Sequence, residues 1–88
     1  MDTNNNAPTL EEFKEAVFER FAPLAERTRT ACHGGPTAAE FMKTEDAESA
    51  IKDNYEMCLD EFNSGEITRN VFLTGAAAST ADCLSMLY

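Results

Sequence analysis

Carboxylates dominate the chemistry that this chain offers, and their spacing places several of them on one line. Residues 45–66 contain eight acidic side chains and a single base, Lys52. Within a predicted helix over residues 45–62, four of the acids recur at steps of 7, 3 and 4, which places them in one stripe beside the apolar face. This acidic stripe consists of Asp46, Asp53, Glu56 and Asp60, with Glu61 next to it. Such a stripe either attracts a basic partner or merely keeps the protein solvated.

The residue types that act most often as nucleophiles, bases or zinc ligands are few and poorly spaced. The cysteines are Cys32, Cys58 and Cys83, and His33 is the only histidine. No CxxC pair is present, and structural zinc sites usually draw on closely spaced ligand pairs. Adjacent Cys and His side chains rarely point at a common atom. We therefore expect reduced thiols, no metal or cofactor, and no enzymatic activity.

One segment between two predicted helices carries a partial metal-binding pattern. Asp60, Ser64, Gly65, Ile67 and Thr68 stand at the first, fifth, sixth, eighth and ninth positions of a twelve-residue string. In this respect the string resembles the calcium loop of the EF-hand family. Phe62 and Val71 occupy the third and twelfth positions, where that family places an oxygen ligand and a bidentate glutamate. The resemblance implies a degenerate EF-hand that does not bind calcium.

The composition is that of one small, strongly acidic domain. The chain has 88 residues, with 7 basic and 16 acidic side chains and a formal charge of −9. This balance argues against direct binding to nucleic acid or to an anionic membrane surface. No apolar run reaches the roughly 18 residues of a membrane-spanning helix, and the N-terminus lacks the pattern of a secretory signal. We expect a soluble, cytoplasmic protein.

The elements that position these residues are predicted to be helices. Residues 1–8 are interpreted as a flexible tail and residues 9–88 as a single helical domain. Thr9 with Glu12 forms a capping box that opens the first helix, which Pro23 either kinks or splits. Residues 32–36 form a break. Thr37 with Glu40 then opens a short helix, and Thr44 caps the long helix that ends at residues 63–65.

The chain after Gly65 is predicted to supply the last helix. With no alternating strand pattern in the sequence, the fold class is an all-α bundle of three main helices plus a short connecting helix. The predicted core includes Phe21 and Ile51. The last segment, Glu66 to Tyr88, starts with the apolar residues Ile67, Val71 and Phe72 and finishes with Leu84, Met86 and Leu87.

The last helix also offers a second candidate surface, because its centre is built almost wholly of small residues. Small side chains allow another backbone to approach closely. A self-association contact would use Gly75, Ala78 and Ala81, sealed by Leu84 and Leu87. The apolar end of the chain either closes the bundle or packs against another subunit.

Three functional hypotheses follow from the sequence. The leading one is a non-enzymatic protein whose acidic stripe binds a basic protein surface, for example as an inhibitor in a nucleic-acid-binding groove, as small viral or mobile-element antagonists do. The alternative is a structural subunit that forms homo-oligomers through its last helix. The third is the degenerate EF-hand relative.

Overall fold

The computed structural model describes residues 6–31 and 37–88, and it is entirely helical in its regular elements. The helices are α1 (Leu10–Ala31), α2 (Ala38–Phe41), α3 (Glu45–Asn63), α4 (Arg69–Val71) and α5 (Ala77–Leu87). A π-helical turn over Phe72–Ala76 joins α4 to α5, so that Arg69–Leu87 forms one unbroken rod. The prediction of an all-α bundle with three main helices and a short connecting one is confirmed.

Threonine caps set the starts of the helices. Thr9 and Glu12 bond to each other's backbone N–H groups at the start of α1. Thr37 and Glu40 form the same capping box at α2, and the Thr44 hydroxyl accepts the N–H of Ala47 at α3. These contacts satisfy N–H groups that have no partner inside a helix, which is why short polar residues fix where each helix begins.

Pro23 neither ends nor divides the first helix. Helix α1 continues through it for eight more residues to Ala31. Proline removes a backbone donor, but Pro23 is exposed to solvent on the outer side of the helix. The predicted break at Cys32–Pro36 lies outside the described residues, and the chain is described again from Thr37.

Two groups of aromatic rings show how the helices run. At one end Phe13 packs against Tyr55 and Phe72, and at the other Phe21 packs against Phe41 and Tyr88. Both ends therefore contain a ring from α1, one from the α2–α3 segment and one from the last rod. It follows that α1 and the last rod run in the same direction and that α3 runs opposite to them.

The packed part of the chain reaches into the segment that the sequence assigns to a tail. Pro8 is fully buried, and its carbonyl accepts a hydrogen bond of 2.8 Å from the Tyr55 hydroxyl. This contact ties the entry of α1 to the middle of α3. Residues 1–5 lie outside the described part of the chain.

The π-helical turn corrects the register of the last rod. Phe72 and Leu84 are twelve residues apart and both fully buried. In a regular helix, at about 100° per residue, they would point roughly 120° apart. A π-helical turn holds one residue more than an α-helical turn, which leaves about eleven regular steps and a difference of roughly 20°. The turn therefore keeps both side chains on the core side.

The apolar side chains of the last rod are divided between the core and the surface. Phe21 and Ile51 are fully buried as predicted, and Phe72 and Leu84 are fully buried with them. Val71, Met86 and Leu87 are 42%, 84% and 56% exposed, so of the two alternatives for the apolar end of the chain, Met86 and Leu87 do not close the bundle. Tyr88 instead closes this end, with its ring against those of Phe21 and Phe41.

Candidate functional site

The acidic stripe lies on the solvent side of α3. All four of its side chains are exposed, whereas Ala47 and Ile51 on the other side of the helix are fully buried. At about 100° per residue, the four acids stand some 140–180° around the helix axis from Ile51. The stripe is thus opposite the apolar face rather than beside it. From Asp46 to Asp60 it covers about 21 Å of helix at 1.5 Å per residue.

The carboxylates of the stripe are not neutralised within the described part of the molecule. None of the four accepts a hydrogen bond or forms an ion pair with another residue in 6–31 or 37–88. The helix carries one base, Lys52, and no described ion pair involves it. The stripe therefore presents its negative charge to solvent.

Glu61 does not belong to this surface. Its side chain is half-buried and lies about 80° around α3 from Ile51, on the flank of the helix. It is close enough to Cys58 to influence that thiol. Burial, and secondarily the Glu61 carboxylate, raise the pKa of Cys58. At neutral pH the Cys58 thiol is therefore protonated and a poor nucleophile.

An exposed apolar side chain stands among the carboxylates. Met57 follows Asp53 by four residues, precedes Asp60 by three, and is 58% exposed. Met57 is not among the residues predicted for partner binding. Helical spacing alone could have placed it between these two acids. The solvent face of α3 thus combines negative charge with one flexible apolar contact.

The residues proposed for self-association are split between core and surface. Leu84 and Ala81 are fully buried in the core of their own chain, and they are not available to a second copy. Ala78 is half-buried, while Gly75 and Leu87 are exposed. The predicted contact therefore does not form one continuous face. Of the small residues, Ala77 and Ala81 are fully buried in the core, and the helix that carries them packs extensively against α1.

The segment that resembles an EF-hand loop is a tight helix–helix corner. Helix α3 extends to Asn63, and Gly65 turns the chain with a φ of 84°, a left-handed conformation that favours glycine. Phe62 packs its ring 6.2 Å from that of Phe72. The Ser64 hydroxyl donates to the Glu66 carboxylate. Within 6–31 and 37–88, no three His, Cys, Asp or Glu side chains are grouped as metal ligands would be.

The remaining candidates for chemistry stand apart. Cys32 and His33 lie outside the described residues. Cys58 is half-buried, Cys83 is exposed on α5, and both are free thiols.

An ion pair closes the end of the bundle where α1 begins. The Arg69 guanidinium lies 2.6 Å from the Glu12 carboxylate, across 57 residues of sequence. The backbone N–H of Thr9 and the Arg69 side chain lower the pKa of Glu12. Sequence reasoning missed the pair because Glu12 was assigned only to its capping box, and nothing local links it to Arg69.

The sequence also did not predict a groove between α1, α2 and the start of α3. Its volume is about 460 Å³. Phe18, Ala39 and Met42 supply its apolar side chains, and charged residues surround them. The available signal was Phe18, which stands beside the core stripe of α1 rather than in it.

No family model, curated protein or solved structure matches this chain. Among the helices described in the two resolved ranges, none is both long and apolar enough to cross a membrane. The geometry of the chain itself is therefore the basis for a functional conclusion.

Proposed function

We propose that this protein is a small, non-enzymatic binding protein whose acidic stripe on α3 docks onto a basic surface of another protein. In its most specific form, it is an inhibitor that occupies a nucleic-acid-binding groove, where its carboxylates stand in for phosphates. The observation that supports this most strongly is that Asp46, Asp53, Glu56 and Asp60 are all exposed without a partner in the described residues.

Repulsion between the carboxylates of the stripe destabilises α3, which suggests that the charge is kept for a function. Asp53 and Glu56 are three residues apart, and Glu56 and Asp60 are four apart. Like charges at these spacings destabilise a helix by about 0.2–0.5 kcal/mol for each pair. A solvated surface with mixed charges would avoid this repulsion. A field of one sign, in contrast, accelerates encounter with an oppositely charged partner.

The charge density of the stripe limits what it can imitate. Its four carboxylates are spread over about 21 Å, or one for every ~7 Å of helix axis. A single strand of duplex DNA carries one phosphate for every ~3.4 Å. The stripe can therefore occupy the positions of a few phosphates in a basic groove, and Met57 adds an apolar contact between Asp53 and Asp60.

The test is capture of partners from native lysate at low and high ionic strength. We expect the wild-type protein to retain a basic protein at low salt and to release it at high salt, because screening shortens the reach of exposed charges. Reversal of charge at Asp53, Glu56 and Asp60 should abolish retention. The retained protein should also lose its binding to nucleic acid when the acidic protein is added.

A matched control separates the stripe from the overall charge. Asp82 is exposed on α5, away from the stripe, so Asp82→Lys changes the net charge as much as Asp53→Lys does. We expect Asp53→Lys to weaken capture and Asp82→Lys to leave it close to wild type. Equal effects of the two variants, or capture that ignores salt, would contradict the proposal.

The exposed end of α5 favours a second candidate function, self-association. Met86 and Leu87 are 84% and 56% exposed, and Gly75 is exposed on the same rod. The contact would use these residues rather than Leu84. Light scattering over a range of concentrations tests it. A particle mass that stays at one chain at all concentrations would exclude this function.

A further inference from the structure

The groove between α1, α2 and α3 leaves apolar side chains uncovered at the surface. Phe18 is half-buried, although its neighbours Val17 and Phe21 on α1 are fully buried. Met42 is also half-buried, and Ala39 is exposed. The space above them, about 460 Å³, lies in the range of pockets that hold ligands or large side chains.

The rim of the groove is mainly acidic. Glu11, Glu15 and Glu19 follow one another at intervals of one turn along α1, and Glu48 contributes from α3. All four are exposed. Among the described residues of the rim the bases are Lys14 and Lys43, so carboxylates outnumber bases two to one there. An occupant that matches this groove has an apolar centre and positively charged flanks.

We infer that this groove receives one large apolar side chain from a segment of the partner protein, with Lys or Arg residues on either side of it. This inference rests on the proposed function, and it supplies the buried apolar contact that the acidic stripe does not provide. Sparse surface charges mainly guide encounter and contribute little to lasting affinity. A buried apolar anchor supplies what charge alone does not. Glu48 places the groove on the same helix as the stripe.

The absence of tryptophan from the chain makes the test direct. The probe is a twelve-residue peptide of Lys, Arg and Ala with one central Trp, carrying a terminal dye. Its control is the same peptide with Ser in place of Trp. We expect the Trp peptide to bind at least ~10-fold more tightly, as burial of one large apolar side chain implies. Its Trp emission should shift to shorter wavelength.

Filling the groove should remove that preference. Ala39 is exposed in the groove wall and has only a methyl side chain, so Ala39→Gln narrows the groove without altering charge. Ser79 is an exposed residue of α5, and Ser79→Gln is the matched control outside the groove. We expect Ala39→Gln to lower the affinity for the Trp peptide to that for the Ser peptide. Ser79→Gln should leave the ratio of the two peptide affinities unchanged.

The outcomes separate this inference from the proposed function. If both peptides bind equally, lose affinity in high salt and fail to bind the Asp53/Glu56/Asp60 reversal, the groove is not an anchor and the stripe proposal stands. Preference for Trp that survives Ala39→Gln would place the contact elsewhere and overturn the inference. Failure of the Trp peptide to bind would also overturn it, while capture from lysate remains the test of the stripe.

Discussion

Two substitutions on α3 should shift stability in opposite directions, because they remove the same charge from opposite ends of one helix dipole. Asp46 lies in the first turn of α3 and Asp60 in the last, where no base is present. Both side chains are exposed, and neither accepts a hydrogen bond or ion pair from a described residue. Asp→Asn changes charge with little change in size or helix propensity.

The magnitudes follow from these positions. Asp46→Asn loses an interaction with the positive end of the helix, which contributes about 0.3–1 kcal/mol. Asp60→Asn removes an unfavourable interaction of similar size at the negative end, and it relieves repulsion from Glu56 four residues earlier by about 0.2–0.5 kcal/mol. We expect Asp60→Asn to stabilise the protein by ~1 kcal/mol, or about 4–8 °C in Tm for a domain of this size. Asp46→Asn should lower Tm by a few degrees.

Thermal unfolding followed by circular dichroism at two salt concentrations tests this reasoning. At about 0.01 M salt the screening length is ~30 Å, and both variants should show their full shift in Tm. At 1 M salt the screening length is ~3 Å, and both shifts in Tm should become smaller. A lower Tm for Asp60→Asn, or shifts in the same direction for both variants, would refute the electrostatic account. If Asp60→Asn is more stable but binds its partner less well, the carboxylate is retained for binding rather than for the fold.

Three further predictions concern the core, the start of α1 and the thiols. Phe21→Ala should lower the free energy of unfolding by about 3–5 kcal/mol in urea titrations, because Phe21 is fully buried. Phe18 is only half-buried, so Phe18→Ala should lower the free energy of unfolding clearly less, and equal losses for the two variants would mean that the core is misplaced. A backbone N–H and a paired guanidinium lower the pKa of Glu12, so the ionised Glu12 carboxylate stabilises the fold above the ordinary pKa of glutamate, and this stabilisation is lost as the pH falls through the lowered pKa. A difference in urea midpoint between wild type and Glu12→Gln that stays constant from pH 7 to pH 3 would contradict this. A thiol reagent at neutral pH should modify exposed Cys83 before Cys58, because burial and a nearby carboxylate raise the pKa of the Cys58 thiol. Peptide mass spectrometry measures the order of modification, and the reverse order would show that α3 opens readily.

Local chemistry made the starts of the helices predictable. Thr9, Thr37 and Thr44 were all identified as caps from their own residue type and, for the first two, from a glutamate three residues later. Each cap is a contact within one turn, so the sequence contains both partners at a fixed spacing. Pro23 shows the limit of such rules, because α1 continues through it when its ring faces solvent.

Contacts between distant segments were not predictable in the same way. The Arg69–Glu12 ion pair and the groove at Phe18 depend on how helices pack, which periodicity does not reveal. The π-helical turn is a related case: regular helical spacing would place Phe72 and Leu84 on different sides of the helix, and the turn brings both of them to the core. The residues of the acidic stripe were predictable from their spacing. Their position opposite the core became clear only from the packed structure.

The π-helical turn also makes the length of the last rod adjustable by one residue. Deleting one residue from the π-helical turn would convert it to ordinary α-helix and still leave Phe72 and Leu84 facing inward. The same deletion in the middle of α3 would rotate everything downstream by about 100° and bring carboxylates toward the core. A one-codon loss at this turn is therefore a change that the fold can absorb, and variants one residue shorter here should keep both the bundle and its acidic side.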